Sequence, residues 1–134
     1  MSITRIAVPA QTLEGLTSKR SEHFGHSKFF TLIDIAGETI TQVQQIENIV
    51  HANCMMPVKL LQDFKVNALI VSGIGSMPLK GFIKAGIDVF YAPKHPYRDV
   101  ISLIKGMTKS EFTLMDPEKA CKGHGSCRVK PFDN

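Results

Sequence analysis

Hydrophobic and polar positions along this chain fall into short blocks, strand-like in the first half and helix-like in the second. "ITRIAV" is short, β-branched and followed by Pro9, which reads as a first strand. "FFTLIDI" reads as a second. Between them, residues 9–28 are rich in Thr, Ser, Gly and charge, a long connection for a small domain and therefore a place to look for function. "AGE" at residues 36–38 predicts a hairpin turn into "TITQVQQI". There Ile40, Val43 and Ile46 recur every three residues, a spacing that suits a helix or a bulged strand. The β-branched content and the preceding turn favour the strand.

After "ENIVHANCMM", Pro57 opens a helix that places Val58, Leu61 and Phe64 on one face with Leu60 beside them. "ALIVS" is continuously apolar, the pattern of a strand buried on both faces. Gly73 and Gly75 follow, then Ser76 as N-cap of a helix that turns Leu79, Phe82 and Ile83 to the core and stops at Gly86. "IDVFYA" is the next strand. The last helix has Pro96 near its start, Asp99 in its first turn, a stripe of Val100, Leu103 and Ile104, Lys105 in its final turn and Gly106 to end it. "EFTLMD" adds a short edge strand. The expected fold class is α/β, a mixed sheet in the order β-β-β-α-β-α-β-α with helices packed on it.

At 134 residues and 43% hydrophobic content, the chain suits one compact domain, residues 1–116, followed by a flexible tail, residues 117–134. No apolar run approaches the ~20 residues that span a bilayer, and "MSITRIAVPA" lacks the pattern of a secretion signal, so a cytoplasmic protein without a membrane partner is expected. Three cysteines in a reducing compartment point to burial, redox chemistry or metal binding rather than a disulfide framework. The net charge of +4 is mild, but its placement matters. Lys19, Arg20 and Lys28 flank one histidine-bearing segment, and Lys94 and Arg98 flank His95. Such a rim attracts an anion, or it is simply a solvated surface.

The strand order has a geometric consequence. With the second strand antiparallel to the first, the third antiparallel to the second and the later strands parallel to the first, several connections leave from one sheet edge. His23, His26, His51, Cys54, the "GIGS" turn and His95 would share it, which is where open α/β sheets bind ligands. Singly, each has a plainer reading. A lone histidine is often a surface residue, and Cys54 beside Met55 and Met56 suits a helix start in the core. "GIGS" offers backbone N–H groups to an anion, but lacks the Lys of a P-loop and the third glycine of a dinucleotide fingerprint. The tail segment "CKGHGSC" sets Cys121, His124 and Cys127 three residues apart. Thiolate and imidazole suit zinc, copper(I) or iron–sulfur species, and glycines let a short loop wrap an ion. Three ligands leave a closed tetrahedral site one short. The rim, with Cys54 the first candidate, a second chain or the ligand itself would supply the fourth; a reversible disulfide or an unligated tail are the alternatives.

At "EHFGHSKFFTLIDI", "IENIVHANC" and "VNALIVSGIGSMPLKGFIKAGIDVFYAP" the chain resembles the dinitrogenase iron–molybdenum cofactor biosynthesis family, which includes NifX-like proteins and the C-terminal domain of NifB. The resemblance covers roughly residues 3 to 115. It implies a ribonuclease-H-like fold and the binding or carriage of an iron–sulfur or molybdenum-containing cluster, with zinc a further candidate at the tail. On it, His23, Phe24 and Gly25 match the family's H-F-G, Asn48 its asparagine, and Gly73 and Gly75 its glycine turn. The cofactor-binding candidates are therefore His23, Phe24, Gly25, His26, Asn48, Cys54, Gly73 and Gly75, and the metal candidates Cys121, His124, Cys127, Cys54 and His23. No catalytic residue is expected. The expected partners are the cluster and a cofactor-assembly or acceptor protein, without nucleic acid, the chain itself being a monomer or weak homodimer. A nuclease would need several carboxylates around two divalent ions, yet the first strand has none and Asp34 stands alone on the second. The remaining alternatives are a protein-interaction domain without metal and a thiol redox protein using Cys121 and Cys127, although these lack C-x-x-C spacing.

Overall fold

The computed structural model describes residues 3–21, 24, 27–48, 56–93 and 97–115. β1 (Thr4–Ala10), β2 (Phe29–Ala36) and β3 (Thr39–Glu47) form the expected meander. Then come α1 (Met56–Asp63), β4 (Ala68–Val71), α2 (Ser76–Lys84), β5 (Asp88–Tyr91), α3 (Val100–Thr108) and the two-residue edge strand β6 (Thr113–Leu114). The sheet order is β3-β2-β1-β4-β5-β6. β1, β4 and β5 are parallel, while β2 and β6 run antiparallel to their neighbours. The architecture is a mixed α/β sheet covered on both faces. No described helix is long and apolar enough to cross a membrane.

Alternation along the strands sorts the core into two layers. Ala7, Phe30, Leu32, Leu69, Val71 and Val89 meet Val58 and Leu61 of α1 and Leu79 and Phe82 of α2. Ile6, Val8, Ile33, Ile35, Ala68 and Ile70 meet Val100, Leu103 and Ile104 of α3. β4 thus contributes buried residues to both layers, as its unbroken apolar run predicts.

The period of three in β3 has a structural cause. Ile35 faces Ile40 but Asp34 faces Gln42, so β3 holds one extra residue at that point. The bulge returns Ile40 and Val43 to the α3 face, and Ile46 packs on the opposite layer. The β2–β3 turn has Gly37 at φ 67, the conformation that a type II′ hairpin requires at its first central residue.

Helix ends depart from expectation in instructive ways. Ser76 is the first helical residue and not the cap; Gly75 caps α2 without a side-chain bond. Ile83 is 40% exposed rather than turned to the core. Asp99 is the cap of α3, its carboxylate accepting from the Ser102 amide at 3.0 Å while the Ser102 hydroxyl accepts from the Asp99 amide at 3.4 Å. All three described helices close with the paired bonds of a Schellman motif, such as Gly86 N–H to Ile83 and Ile87 N–H to Phe82 in α2. Only α2 uses glycine there; Lys65 and Ser110 take the left-handed position after α1 and α3, at φ 59 and 58. Gly106 therefore does not stop α3, which continues to Thr108. It is a glycine because an added Cβ would lie 2.5 Å from Cζ of the Phe112 ring.

Candidate functional site

Ala10, at the end of β1, pairs with Phe29 at the start of β2, and Phe29 pairs with Glu47 at the end of β3. β4 and β5 run parallel to β1 and end at Val71 and Tyr91. The connections 11–28, 48–55, 72–75 and 92–99 therefore leave from one edge of the sheet, as the sequence order requires. Of the candidate residues, Phe24, Asn48, Gly73 and Gly75 are described on them. His23, Gly25, His26, His51, Cys54 and His95 lie outside the described residues, as do Cys121, His124, Cys127 and the whole predicted tail. Among the described residues no three His, Cys, Asp or Glu side chains gather as a metal site.

Phe24 is a core residue. It is 4% exposed, with its ring 5.8 Å from that of Phe30 and 5.4 Å, edge-on, from that of Phe82 on α2. Burying one large ring fixes the segment that carries it, with aromatic geometry adding to the apolar gain. The Ser27 hydroxyl and amide both donate to the Phe24 carbonyl, at 3.0 and 3.4 Å, closing a turn around residues 24–27. Asn48 clamps that turn from β3: its amide donates to the Lys28 carbonyl at 2.9 Å, and its Nδ2 donates to the Ser27 carbonyl at 2.9 Å. Because Nδ2 faces a carbonyl, the carboxamide orientation is fixed by chemistry. Its Oδ1 is buried and has no hydrogen-bond partner among the described residues, in a residue 2% exposed. An orphaned buried acceptor costs on the order of 1–3 kcal/mol, so it marks a place where a donor is wanted.

Gly73 gives a second asymmetry. A Cβ there would meet nothing within 4 Å, and its backbone is not in the left-handed region, so neither packing nor conformation of the described protein demands glycine. The turn thus leaves open space at Gly73, ahead of a helix start that has no side-chain cap bond. Its plainer reading, a glycine forced by close helix packing, does not hold at Gly73.

The long β1–β2 connection is fastened by two side chains. Gln45 reaches out of β3 to donate to the Thr12 carbonyl (3.0 Å), the Ser18 hydroxyl (3.2 Å) and Thr31 Oγ1 (2.9 Å), while its Oε1 accepts from the Gly15 amide (2.9 Å). Arg20, 7% exposed, donates from Nη1 to the carbonyls of Pro93 (2.7 Å) and Tyr97 (3.0 Å). Charge patterning marked Arg20 as part of a basic rim but gave no sign of its burial, and nothing in the sequence singled out Gln45. Lys19, Lys28 and Arg98 are exposed at this edge.

The family model for the dinitrogenase iron–molybdenum cofactor matches residues 4–107. The chain belongs to this family. An uncharacterized protein of Methanocaldococcus jannaschii is 29% identical over 96 residues, 69% of this chain and 77% of the relative. The crystal structure of a protein from the same organism, provisionally assigned as a dinitrogenase, superposes with a TM-score of 0.69 at 22% identity, covering 87% of this chain and 98% of that one. The apo form of the orange protein from Desulfovibrio gigas superposes with a TM-score of 0.73 at 19% identity, covering 84% and 92%. The latter two establish a shared fold. Membership of the iron–molybdenum cofactor family supports a cofactor-related role.

In this family member the opposite edge of the sheet has a different character. Arg5 and Asp34, cross-strand partners, form a two-pronged ion pair, Nε to Oδ1 at 2.7 Å and Nη2 to Oδ2 at 3.0 Å. Arg5 Nη1 donates to the Phe64 carbonyl at 2.8 Å, and the Arg5 amide to Asn67 Oδ1 at 2.7 Å. Hydrogen bonding from Arg5 holds the Asp34 carboxyl below its ordinary range. The one carboxylate on the second strand is thus engaged as a brace at the end of the sheet opposite the rim.

Proposed function

We propose that the chain binds an iron–sulfur or molybdenum-containing cluster as cargo at this rim and stores or delivers it, without catalysing a reaction. The observation that supports this most is the orphaned Oδ1 of Asn48, in the residue that clamps the histidine-bearing 22–28 segment to β3. Family membership and the common edge of four connections agree with it. On this reading the described residues are the frame. Phe24 anchors the segment between His23 and His26, Asn48 clamps it, and the open space at Gly73 leaves room for an anionic group.

His23, His26 and Cys54 are the proposed ligands on the rim, with Cys121, His124 and Cys127 adding soft donors from residues 117–134. Gly25 belongs to the proposed site as the last residue of the H-F-G match. Zinc is the alternative occupant of the tail. A ribonuclease-H-like arrangement, a cytoplasmic location and delivery to a cofactor-assembly or acceptor protein, with no nucleic acid partner, belong to the same proposal. Lys19, Lys28 and Arg98 favour an anionic cargo, and their attraction is screened over about 10 Å at 0.1 M salt.

Anaerobic reconstitution of the full chain with ferrous iron and sulfide, followed by metal analysis and visible absorption, tests the proposal. Wild-type protein takes up iron, His23→Ala takes up less, and Lys28→Glu loads more weakly with a shallower salt dependence. Removal of residues 117–134 lowers the metal stoichiometry while the domain stays folded. Full loading of His23→Ala would show that the rim is not the site.

A further inference from the structure

Among the described cations Arg20 is the buried one, and its Nη1 is given to backbone. One guanidinium nitrogen bridges the carbonyls of Pro93 and Tyr97, at 2.7 and 3.0 Å, and these two residues bracket positions 94–96 of the β5–α3 connection. The Arg20 amide donates to the Arg98 carbonyl at 3.1 Å, the Val100 amide donates to the Ser18 carbonyl at 3.0 Å, and Lys19 bridges Asp99. Ala10 also bridges Arg20, and the Ser21 amide donates to the Pro9 carbonyl at 2.8 Å, so the same residues are tied to the end of β1. From its far side the connection is held by Tyr97, whose ring stands edge-on to Phe112 at 4.8 Å and whose hydroxyl donates to Glu111 at 2.6 Å. A loop that only needed closing could use backbone bonds alone. Here a group that never loses its proton is added across its mouth.

We infer that Arg20 is a positioning residue. Through the carbonyls of Pro93 and Tyr97 it sets the β5–α3 connection, which carries His95, against the β1–β2 connection, which carries His23. Two loops from different parts of the chain thereby serve one cargo. This rests on the cargo-binding reading and adds to it a residue that touches no cargo. An arginine suits the task because its planar fork presents paired N–H groups in fixed geometry, so the spacing of the two carbonyls is dictated by the side chain. Lysine can carry the charge and still donate, with less control of direction.

The test compares Arg20→Met, which keeps the stem and loses the donors, with Arg20→Lys, in the full chain. In metal-free protein, amide exchange at position 20 and at Val100 rises about tenfold in Arg20→Met, while that of Ile70 and Val89 in the central strands is unchanged. Arg20→Lys recovers most of the protection. In reconstitution with ferrous iron and sulfide, Arg20→Met loads about tenfold more weakly, the scale typical of residues that orient ligands. The same substitution in a His95→Ala background causes no further loss. A uniform rise in exchange would make Arg20 a general stability brace, and additive losses would mean that it acts independently of the His95 connection; either overturns the inference. Unchanged exchange removes the clasp itself. Wild-type protein that takes up no iron overturns the cargo reading and with it the role of Arg20 at the site, and the exchange pattern in metal-free protein distinguishes that failure from failure of the clasp.

Discussion

The two ends of the sheet handle polar groups in opposite ways. At the end where β1 begins, Arg5 uses Nε, Nη1 and Nη2 on Asp34 and the Phe64 carbonyl, and even its amide has the Asn67 side chain. At the other end, Asn48 is more deeply buried than Arg5 and still leaves one oxygen without a partner among the described residues, and the turn after β4 on the same edge has room to spare. Both ends are built from cross-strand geometry, so the difference does not come from fold. It separates an end whose described polar groups are all answered from one that keeps a buried acceptor unanswered among the described residues.

The largest expected effect breaks the rim by removing its anchor. Phe24→Ala deletes a buried ring that touches both Phe30 and Phe82, and should cost about 3–5 kcal/mol in chemical denaturation. If the cost is under about 1 kcal/mol, Phe24 does not hold the histidine-bearing segment.

A smaller effect is expected at the complete end. Asp34→Ala leaves Arg5 without its carboxylate and should cost about 2 kcal/mol, reduced by the partial exposure of Arg5, with iron loading unchanged. The pH dependence has a definite sign. The Asp34 carboxyl sits below its usual value in the folded chain, so its contribution is present above the unfolded pKa of about 4 and is lost as pH falls through the lower folded value. Asp34→Asn should therefore flatten the acid limb of the melting-temperature curve below about pH 4. An unchanged acid limb would place the titrating group elsewhere.

The smallest stability effect is the most discriminating. Gly73→Ala adds a methyl group where nothing stands within 4 Å, so stability should stay within about 0.5 kcal/mol or rise slightly as the unfolded chain loses freedom. Loading of iron and sulfide should nevertheless fall, because the space is occupied. A variant that loads like wild type would mean that the open turn is incidental.

How far the sequence disclosed this arrangement depended on the range of the interaction. Element order, the two-sided burial of β4 and the common edge followed from local periodicity and connection rules, because each needs only nearby residues. Gly106 and Ser110 show the limit. Glycine after an amphipathic stripe reads as a helix stop, but Phe112 packs against Gly106 and Ser110 takes the left-handed turn, a decision made by tertiary packing. β1 likewise runs through Pro9 to Ala10, because that carbonyl is answered by Ser21 across a loop. At the site, the family motif pointed to Phe24 and Asn48, yet not to what each does. A phenylalanine between histidines looks the same in one dimension whether it faces a ligand or Phe82. Arg20 was visible only as charge, since its Nη1 donates to carbonyls some seventy positions away, and backbone acceptors leave no residue-type signature.

The peg formed by Gln45 divides the β1–β2 connection into parts that answer to different masters. Residues 12–18 are tied to β3 through one carboxamide and to their neighbours through Ser18 and Thr12, whereas Lys19 and Arg20 are registered against Asp99 and Ala10. Leu13, 63% exposed, sits in the first part. For anyone wishing to attach a fluorophore, an affinity peptide or a second domain, exposed Leu13 is the insertion point to choose: a graft there can sway in solvent while the bonds of Thr12, Gly15 and Ser18 on either side hold the connection in place.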